Sequence, residues 1–404
     1  MLLPIFNIKL IFFMSNIVDY PIHHPIDTAY TTTESLIAPL CVNHVNDERD
    51  GSKCPYSMEG GVVPCLVKYP YIECTYVATG STDESGGTVV SPVKLYHRFF
   101  LSNVIGMTID GELSEDVVSS YTFSSIGEHV VRFYSKASKI TSFSTDSAFT
   151  NCVQLTKVSG LGNVTSVRYV TFRGCSQLVS TDYTEKLVNI EIGAFKGCSS
   201  LVTPGDVSGV VSIKQSASDG AFEGCSSLRK LNFSSKFTTL VNATTNYGRT
   251  FLNCRNLVSV GDFSHVGPSV GEDGFGSCTS IKSINLAGVN GYIGQRCFRG
   301  CTSLKEVKDT EGIKRYEQHC FSGCTALTGE FIVGEGCTLF NSYAFSGCRS
   351  LTSMKILAVT PPQLVNSDMF DGSTYKIYVP AESLEAYKTA SQWRNVSDRI
   401  FPIE

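Results

Sequence analysis

The sequence predicts a mainly β chain with short helical turns, wound as a solenoid and preceded by a small β-sandwich. Three observations lead there. A short phrase (small residue, Phe, two variable residues, Cys, two variable residues, Leu) recurs nine times within 404 residues. Each copy runs into alternating apolar and polar residues, the mark of a strand with one buried face. Residues 62–140 lack the phrase but carry several alternating runs of their own, separated by Gly and Ser turns.

Taken in chain order, residues 1–61 are rich in Thr, His, Asn and Pro and show no period, which predicts an extended or poorly ordered arm. Leu2 to Phe13 is apolar, yet no positive residue precedes it and no small-x-small cleavage site follows, so a standard signal peptide is not expected. Met14 offers a second start to the chain, and Leu40-Cys41 lacks the small residues of a lipidation site. In 62–140, runs at 71–77, 104–109, 121–123 and 129–134 alternate, and breaks fall at Asp110-Gly111 and Gly127. Short strands at that spacing predict a sandwich.

The solenoid is expected over 141–360. Its ladder positions are Phe149/Cys152, Phe172/Cys175, Phe195/Cys198, Phe222/Cys225, Phe251/Cys254, Phe275/Cys278, Phe298/Cys301, Phe321/Cys324 and Phe345/Cys348. Successive cysteines lie 23 to 29 residues apart, a period that means stacked copies of one supersecondary unit. One unit cannot bury its own faces, so neighbours must bury them. Phe, Cys and Leu stand three residues apart, which puts them on one side of a helical or 3₁₀ turn. The residues between Phe and Cys are often polar or Gly, as in Lys196-Gly197 and Arg299-Gly300, and suit an exposed tight turn. The residue before Phe (Ala148, Thr171, Ala194, Ala221, Thr250, Gly274, Cys297, Cys320, Ala344) is small in every copy, so a neighbouring coil must pass close to it. One turn and one strand per unit, stacked in parallel, is the leucine-rich-repeat plan; nine strands make a sheet roughly 40 Å long.

Residues 361–404 are expected to close the stack with a strand ending at Val379 and a short helix over 381–390 that carries Leu384 and Tyr387 on one face. Trp393, the only tryptophan, is expected beneath this cap.

These residues resemble the BspA-type leucine-rich repeat family, whose units read Ile-Gly-x-x-Ala-Phe-x-x-Cys-x-x-Leu and then a strand. Glu191-Ile192-Gly193-Ala194-Phe195-Lys196-Gly197-Cys198-Ser199-Ser200-Leu201 is close to that pattern, and the likeness extends over 141–404. Several units lack the usual Ile-Pro strand ending, and units three and four are lengthened. The run 121–130 resembles the last hairpin of Ig-like bacterial adhesin modules, so the sandwich is expected to be Ig-like. The resemblance implies a surface or secreted bacterial protein of adhesion or interaction; related chains occur in prophages, which keeps a tail or capsid-decoration protein, and hence a virion location, as the alternative.

The chemistry visible in the sequence is sparse. Charged residues make up 17% of the chain and the net charge is −4, with no basic excess to drive nucleic-acid binding. No run of about 18 apolar residues exists to span a membrane. There is no Gly-x-Ser-x-Gly elbow, phosphate loop or His-Glu-x-x-His, and no enzyme or cofactor is expected. The nearest thing to a metal set is Cys297, Cys301, Cys320 and Cys324 beside His319, but the repeat already accounts for these thiols. Cys41, Cys54, Cys65 and Cys74 with His44 have irregular spacing and stay open between free thiols, disulfides and metal. His23 and His24 fall in the arm, and His97, His129, His265 and His319 have no partner readable from sequence. The ladder thiols should line the interior as small hydrophobes. What remains is a binding surface for a protein or glycan: the outward strand residues Lys230, Asn232, Ser283, Asn285, Glu306, Lys308, Ser353 and Lys355, aligned in columns.

Overall fold

The computed structural model describes residues 69–404 apart from 99, 103, 239–247 and 262–264, together with 57–58, 61–62 and 66. The expected arm over 1–61 falls almost wholly outside these, as do Cys41, Cys54, Cys65, His23, His24 and His44. At its end, Ser57–Met58 and Gly61–Val62 pair antiparallel. Residues Tyr69–Glu404 form one compact unit.

Each coil of the solenoid has three sides. A strand follows the Leu of the phrase, in seven of the nine coils a shorter strand is described half a coil later, and the Phe–Cys turn closes the loop. On the first side, Leu155–Ser159, Ser180–Tyr183 and Thr203–Gly205 pair in parallel. On the second, Tyr292–Ile293, Arg315–Tyr316, Leu339–Phe340 and Gln363–Leu364 do the same. The turns demand left-handed backbone at the second residue after Phe. All nine such residues have it: Asn151, Gly174, Gly197, Gly224, Asn253, Ser277, Gly300, Gly323 and Gly347 lie at φ between 58° and 79°. Six are Gly and two are Asn, the residues that enter this region most readily.

The nine phenylalanine rings form one continuous row. Neighbouring centroids are 5.0 to 5.8 Å apart and the planes lie within 30° of parallel. Each Phe amide donates to the small residue of the next coil, from Phe149 N to Thr171 O at 2.8 Å to Phe321 N to Ala344 O at 2.8 Å. That close backbone contact is why the position before Phe admits only small side chains. Each ladder thiol donates backward, from Cys175 Sγ to Phe149 O at 2.9 Å through Cys348 Sγ to Phe321 O at 3.3 Å. Cys is thus more than filler: it is apolar enough to bury and still satisfies a carbonyl.

Of the strands expected to form a small Ig-like sandwich over 62–140, four join the sheet of the first repeats, while Gly80–Thr82 with Thr88–Val90 and Val93–Lys94 with Ser120–Tyr121 pair in two-stranded ladders of their own. Tyr71–Ala78, Gly127–Ser135, Val104–Ile109 and Glu112–Leu113 form an antiparallel set, and Tyr71–Ala78 pairs antiparallel with Leu155–Ser159 of the first repeat. One seven-stranded sheet results among the described residues. The physical reason is edge satisfaction: the first repeat strand and Tyr71–Ala78, the edge strand of the N-terminal set, would each leave a row of backbone groups open. Their cores merge too. Phe100 lies 4.5 Å from Phe149 and 5.2 Å from Phe133, which carries the aromatic row into the N-terminal sheet. Cys74 belongs to this core and is buried and free.

At the other end, Lys376–Val379 and Ile400–Pro402 extend the parallel sheet by two strands. The helix spans Leu384–Thr389 behind a 3₁₀ turn, Ala381–Ser383. Trp393 is buried beneath it, 5.2 Å from Tyr387 and 6.0 Å from Phe340, and its Nε1 donates to Pro362 O at 2.8 Å. A tenth turn precedes this cap. Phe370 is buried, Gly372 is left-handed at φ 68°, and Gly347 N donates to Asp371 O at 2.7 Å as at the eight junctions before it. Ser373 stands where Cys would be.

Candidate interaction face

The eight sequence-selected residues all lie on the first side, where alternation turns Leu231, Ile284 and Met354 inward and their neighbours out. They do not form one uninterrupted sheet. Ser283 and Asn285 stand opposite Glu306 and Lys308 in a two-stranded ladder. Ser353 and Lys355 stand in the C-terminal ladder, between Glu330 and Lys376 and between Ile332 and Tyr378. Lys230 and Asn232 belong to a third ladder, opposite Ser259 and near Gly261. Lys308 Nζ lies 3.4 Å from Glu306 Oε2, both exposed, and Ser353 Oγ lies 3.4 Å from Glu330 Oε2.

A seam separates Thr203–Gly205 from Lys230–Phe233, which share no ladder. At several junctions the residue after Leu donates to its counterpart one coil back, as in Val179 N to Thr156 O, Val202 N to Val179 O and Val258 N to Arg229 O, each at 2.8 Å, although Lys282 and Val258 also lack it where Ser259–Gly261 and Ser283–Asn285 share no ladder. The bond from Arg229 to Val202 is not made. Pro204 lies beside this gap. Thr203 and Asp206 donate toward the preceding coil, to Val179 O and Tyr183 O, and Pro204 between them has no amide hydrogen to offer the next. The coils stay joined on either side of the gap, through Ser227 N to Ser199 O at 3.0 Å and Ser234 Oγ to Ser208 O at 2.6 Å. The opening is a shallow groove of about 490 Å³ lined by Thr203, Gly205, Asp206, Val207, Ser208, Lys230, Leu231 and Asn232. Two of the eight selected residues therefore line the groove.

Sequence reasoning missed the ends of this face. Lys376 lies over the ring of Phe401 at 5.4 Å, beside Tyr378. At the N-terminal end Arg132 pairs with Glu73 at 2.8 Å and lies 5.0 Å from the ring of Tyr71. Neither group follows the repeat phrase, so periodicity could not flag it. The turn side carries a set of ion pairs that was also unforeseen. Asp219 meets Lys196 at 2.9 Å and Arg173 at 3.4 Å; Asp273 meets Arg296 at 3.0 Å and Arg249 at 3.7 Å. Burial alone raises the Asp219 pKa, but Lys196, Ser218 and Arg173 more than offset it and hold the carboxyl below its ordinary value.

The residues weighed for metal serve packing. Cys297 and Cys320 are wholly buried in the small-residue slot, Cys301 and Cys324 sit in the thiol row, and all are free. Among the described residues no three His, Cys, Asp or Glu side chains converge as a ligand set. Burial pushes the thiols of Cys301 and Cys348 up to about 12 and raises those of Cys297 and Cys324 well above the ordinary thiol value, which leaves them protonated. His319 stacks on Tyr343 at 4.8 Å, and burial with Arg299 and Arg296 nearby lowers its pKa. His129 is buried against Phe123 with Nδ1 2.8 Å from Asp110 and Nε2 2.9 Å from Ser125 O. No helix among the described residues is long and apolar enough to cross a membrane.

Comparison with known proteins places these features. The model of the BspA type leucine rich repeat region matches residues 142–261 and 218–352, in six copies. No curated protein matches the chain. Similar solved structures include a leucine rich repeat protein of T. pallidum, at 23% identity and TM-score 0.34 over 48% of this chain and 83% of that one. A leucine-rich repeat protein of Bacteroides ovatus is 17% identical with TM-score 0.35, over 81% and 98%. A leucine rich cell surface protein of Faecalibacterium prausnitzii is 16% identical with TM-score 0.28, over 60% and 85%.

Proposed function

Because the chain belongs to the BspA-type leucine rich repeat family, we propose that it is a non-enzymatic interaction protein that grips a macromolecule with the exposed first side of its solenoid. The carrying observation is the strand register. It sets Ser283 beside Glu306 and Asn285 beside Lys308 as outward columns, on a backbone held from behind by the unbroken phenylalanine and thiol rows. Columns of polar side chains at strand spacing, about 4.8 Å, form an extended surface that needs no induced order to bind. A catalytic reading finds less support, since the groove is open and its only titratable side chains are Asp206 and Lys230. The family match lends nothing to the virion alternative.

The test is an array of host and bacterial surface proteins and glycans probed with the full chain. Placing a bulky uncharged side chain in the columns, Ser283→Tyr with Asn285→Tyr, should weaken capture of any hit by about tenfold or more without shifting the thermal midpoint. Binding that ignores the column variant and yields to charge reversal on the turn side, at Lys214 or Arg168, would move the site off this face.

A further inference from the structure

The first side is electrically uneven. Consider its three outward rows over coils four to seven: Arg229, Val258, Lys282 and Lys305; Lys230, Ser259, Ser283 and Glu306; Asn232, Gly261, Asn285 and Lys308. Five of these positions are cationic and one is anionic, on a chain whose net charge is −4. The same rows over coils one to three hold one cation, Lys157, and one anion, Asp182. Arg229, Lys230, Lys282, Lys305 and Lys308 are all exposed. Lys282 and Lys305 stand on adjacent coils, tied by Lys305 N to Lys282 O at 2.8 Å. Among the described residues, the ion pair on this stretch is Lys308 with Glu306. The turn side differs: there Arg249 and Arg296 are both spent on Asp273. Like charges about one strand spacing apart repel, and nothing in the fold uses these cations to hold the coils together.

From this we infer that coils four to seven bind an acidic polypeptide segment, with the groove at the seam taking one of its carboxylate side chains. The inference rests on the proposed function of this face. Lys230 and Asn232 bring an ammonium and an amide to one wall of the groove, and Thr203 and Ser208 bring hydroxyls to the other. Arg229 N and Val202 O, which lack the bond made in neighbouring coils, offer a donor and an acceptor matched to a peptide group. A uniformly anionic polymer fits less well. Asp206 stands in the groove wall and Glu306 in the middle of the face, where each would repel it. Four of the five cations are Lys, which cannot grip phosphate or sulfate bidentately, and these rows hold no aromatic ring for a base to stack on.

The experiment titrates the full chain against a labelled peptide of alternating Glu and Ser, the same peptide with Gln for Glu, heparin, and a single-stranded oligonucleotide. The Glu peptide should bind about tenfold or more tightly than the Gln peptide, and the difference should shrink as salt rises. Lys282→Glu with Lys305→Glu should cost about tenfold or more, the Gln pair at the same sites less, and Lys186→Glu, away from this face, under about twofold. Equal affinity for the two peptides, or indifference to the Lys282/Lys305 variants, overturns the inference. Tighter binding of heparin or the oligonucleotide overturns the partner class. A hit from the surface array that depends on Ser283 and Asn285, with no binding of the acidic peptide, sinks this inference and leaves the proposed function standing.

Discussion

At the scale of single residues, the thiol row sorts two explanations of the conserved-looking cysteine spacing within the chain. If Cys were only a small apolar group, Ala would replace it. Each thiol also donates to the Phe carbonyl one coil back, so Cys301→Ala leaves Phe275 O without that partner while Cys301→Ser keeps a donor. We expect the Ala variant to lose about 1–2 kcal/mol and the Ser variant less, read as urea midpoints at constant slope. The raised pKa values add a second expectation: iodoacetamide should label none of the ladder cysteines in the native protein at pH 8 and all of them in denaturant. Asp219 gives a pH dependence. Its folded pKa is lowered, so its contribution is complete above the ordinary carboxylate value, about 4, and is lost as pH falls through the lower folded value. Asp219→Asn should therefore be less stable near neutrality and show a flatter acid limb in denaturation followed from pH 6 down to pH 2. The sequence made the Phe and Cys positions legible because burial forces them to repeat. It hid the Asp219 cluster because its members, Arg173, Lys196 and Glu223, come from three different coils and need not recur.

At the scale of elements, the strand side and the turn side obey different rules. The turn bonds run through every coil from Phe149 to Phe321, including the coils that flank the seam, where Phe195 N donates to Ala221 O at 2.8 Å. The strand ladder opens at the same place. Hydrogen exchange should show it: the amide of Arg229 should exchange faster than those of Val202 and Val258, which donate across coils at 2.8 Å. Strand existence was readable from alternation, as in Leu228–Phe233, but pairing was not. Alternation reports which side chains are buried and says nothing of whether the neighbouring strand lies in bonding register. The antiparallel N-terminal set escaped for a related reason. Its runs do alternate, but its join to Leu155–Ser159 links residues about 80 positions apart, and no local pattern encodes that choice. The tenth turn escaped because Ser373 replaces Cys and erases the phrase while leaving the left-handed Gly372.

At the scale of the molecule, one core runs from Ile72 in the N-terminal sheet to Ile400 in the last strand. Phe298 sits in its middle, fully buried and stacked at 5.2 and 5.1 Å on Phe275 and Phe321. Phe298→Ala should cost about 3–5 kcal/mol, because neither ring beside it can close the space without breaking its own stack. Trp393 reports on the far end. It is the sole tryptophan and is fixed by Pro362 O, so its fluorescence follows the cap while far-UV circular dichroism follows the whole stack. With one continuous core the two urea midpoints should coincide; a lower fluorescence midpoint would mean that the cap comes away on its own. The unbroken turn flank and the sectioned strand flank also give the molecule a one-sided flexural stiffness. A bending moment is resisted where aromatic rings and amide bonds succeed one another without interruption, and it is taken up where Val202 and Arg229 are unbonded. Curvature can then adjust on the flank that carries the exposed lysines while the opposite flank acts as a fixed neutral axis.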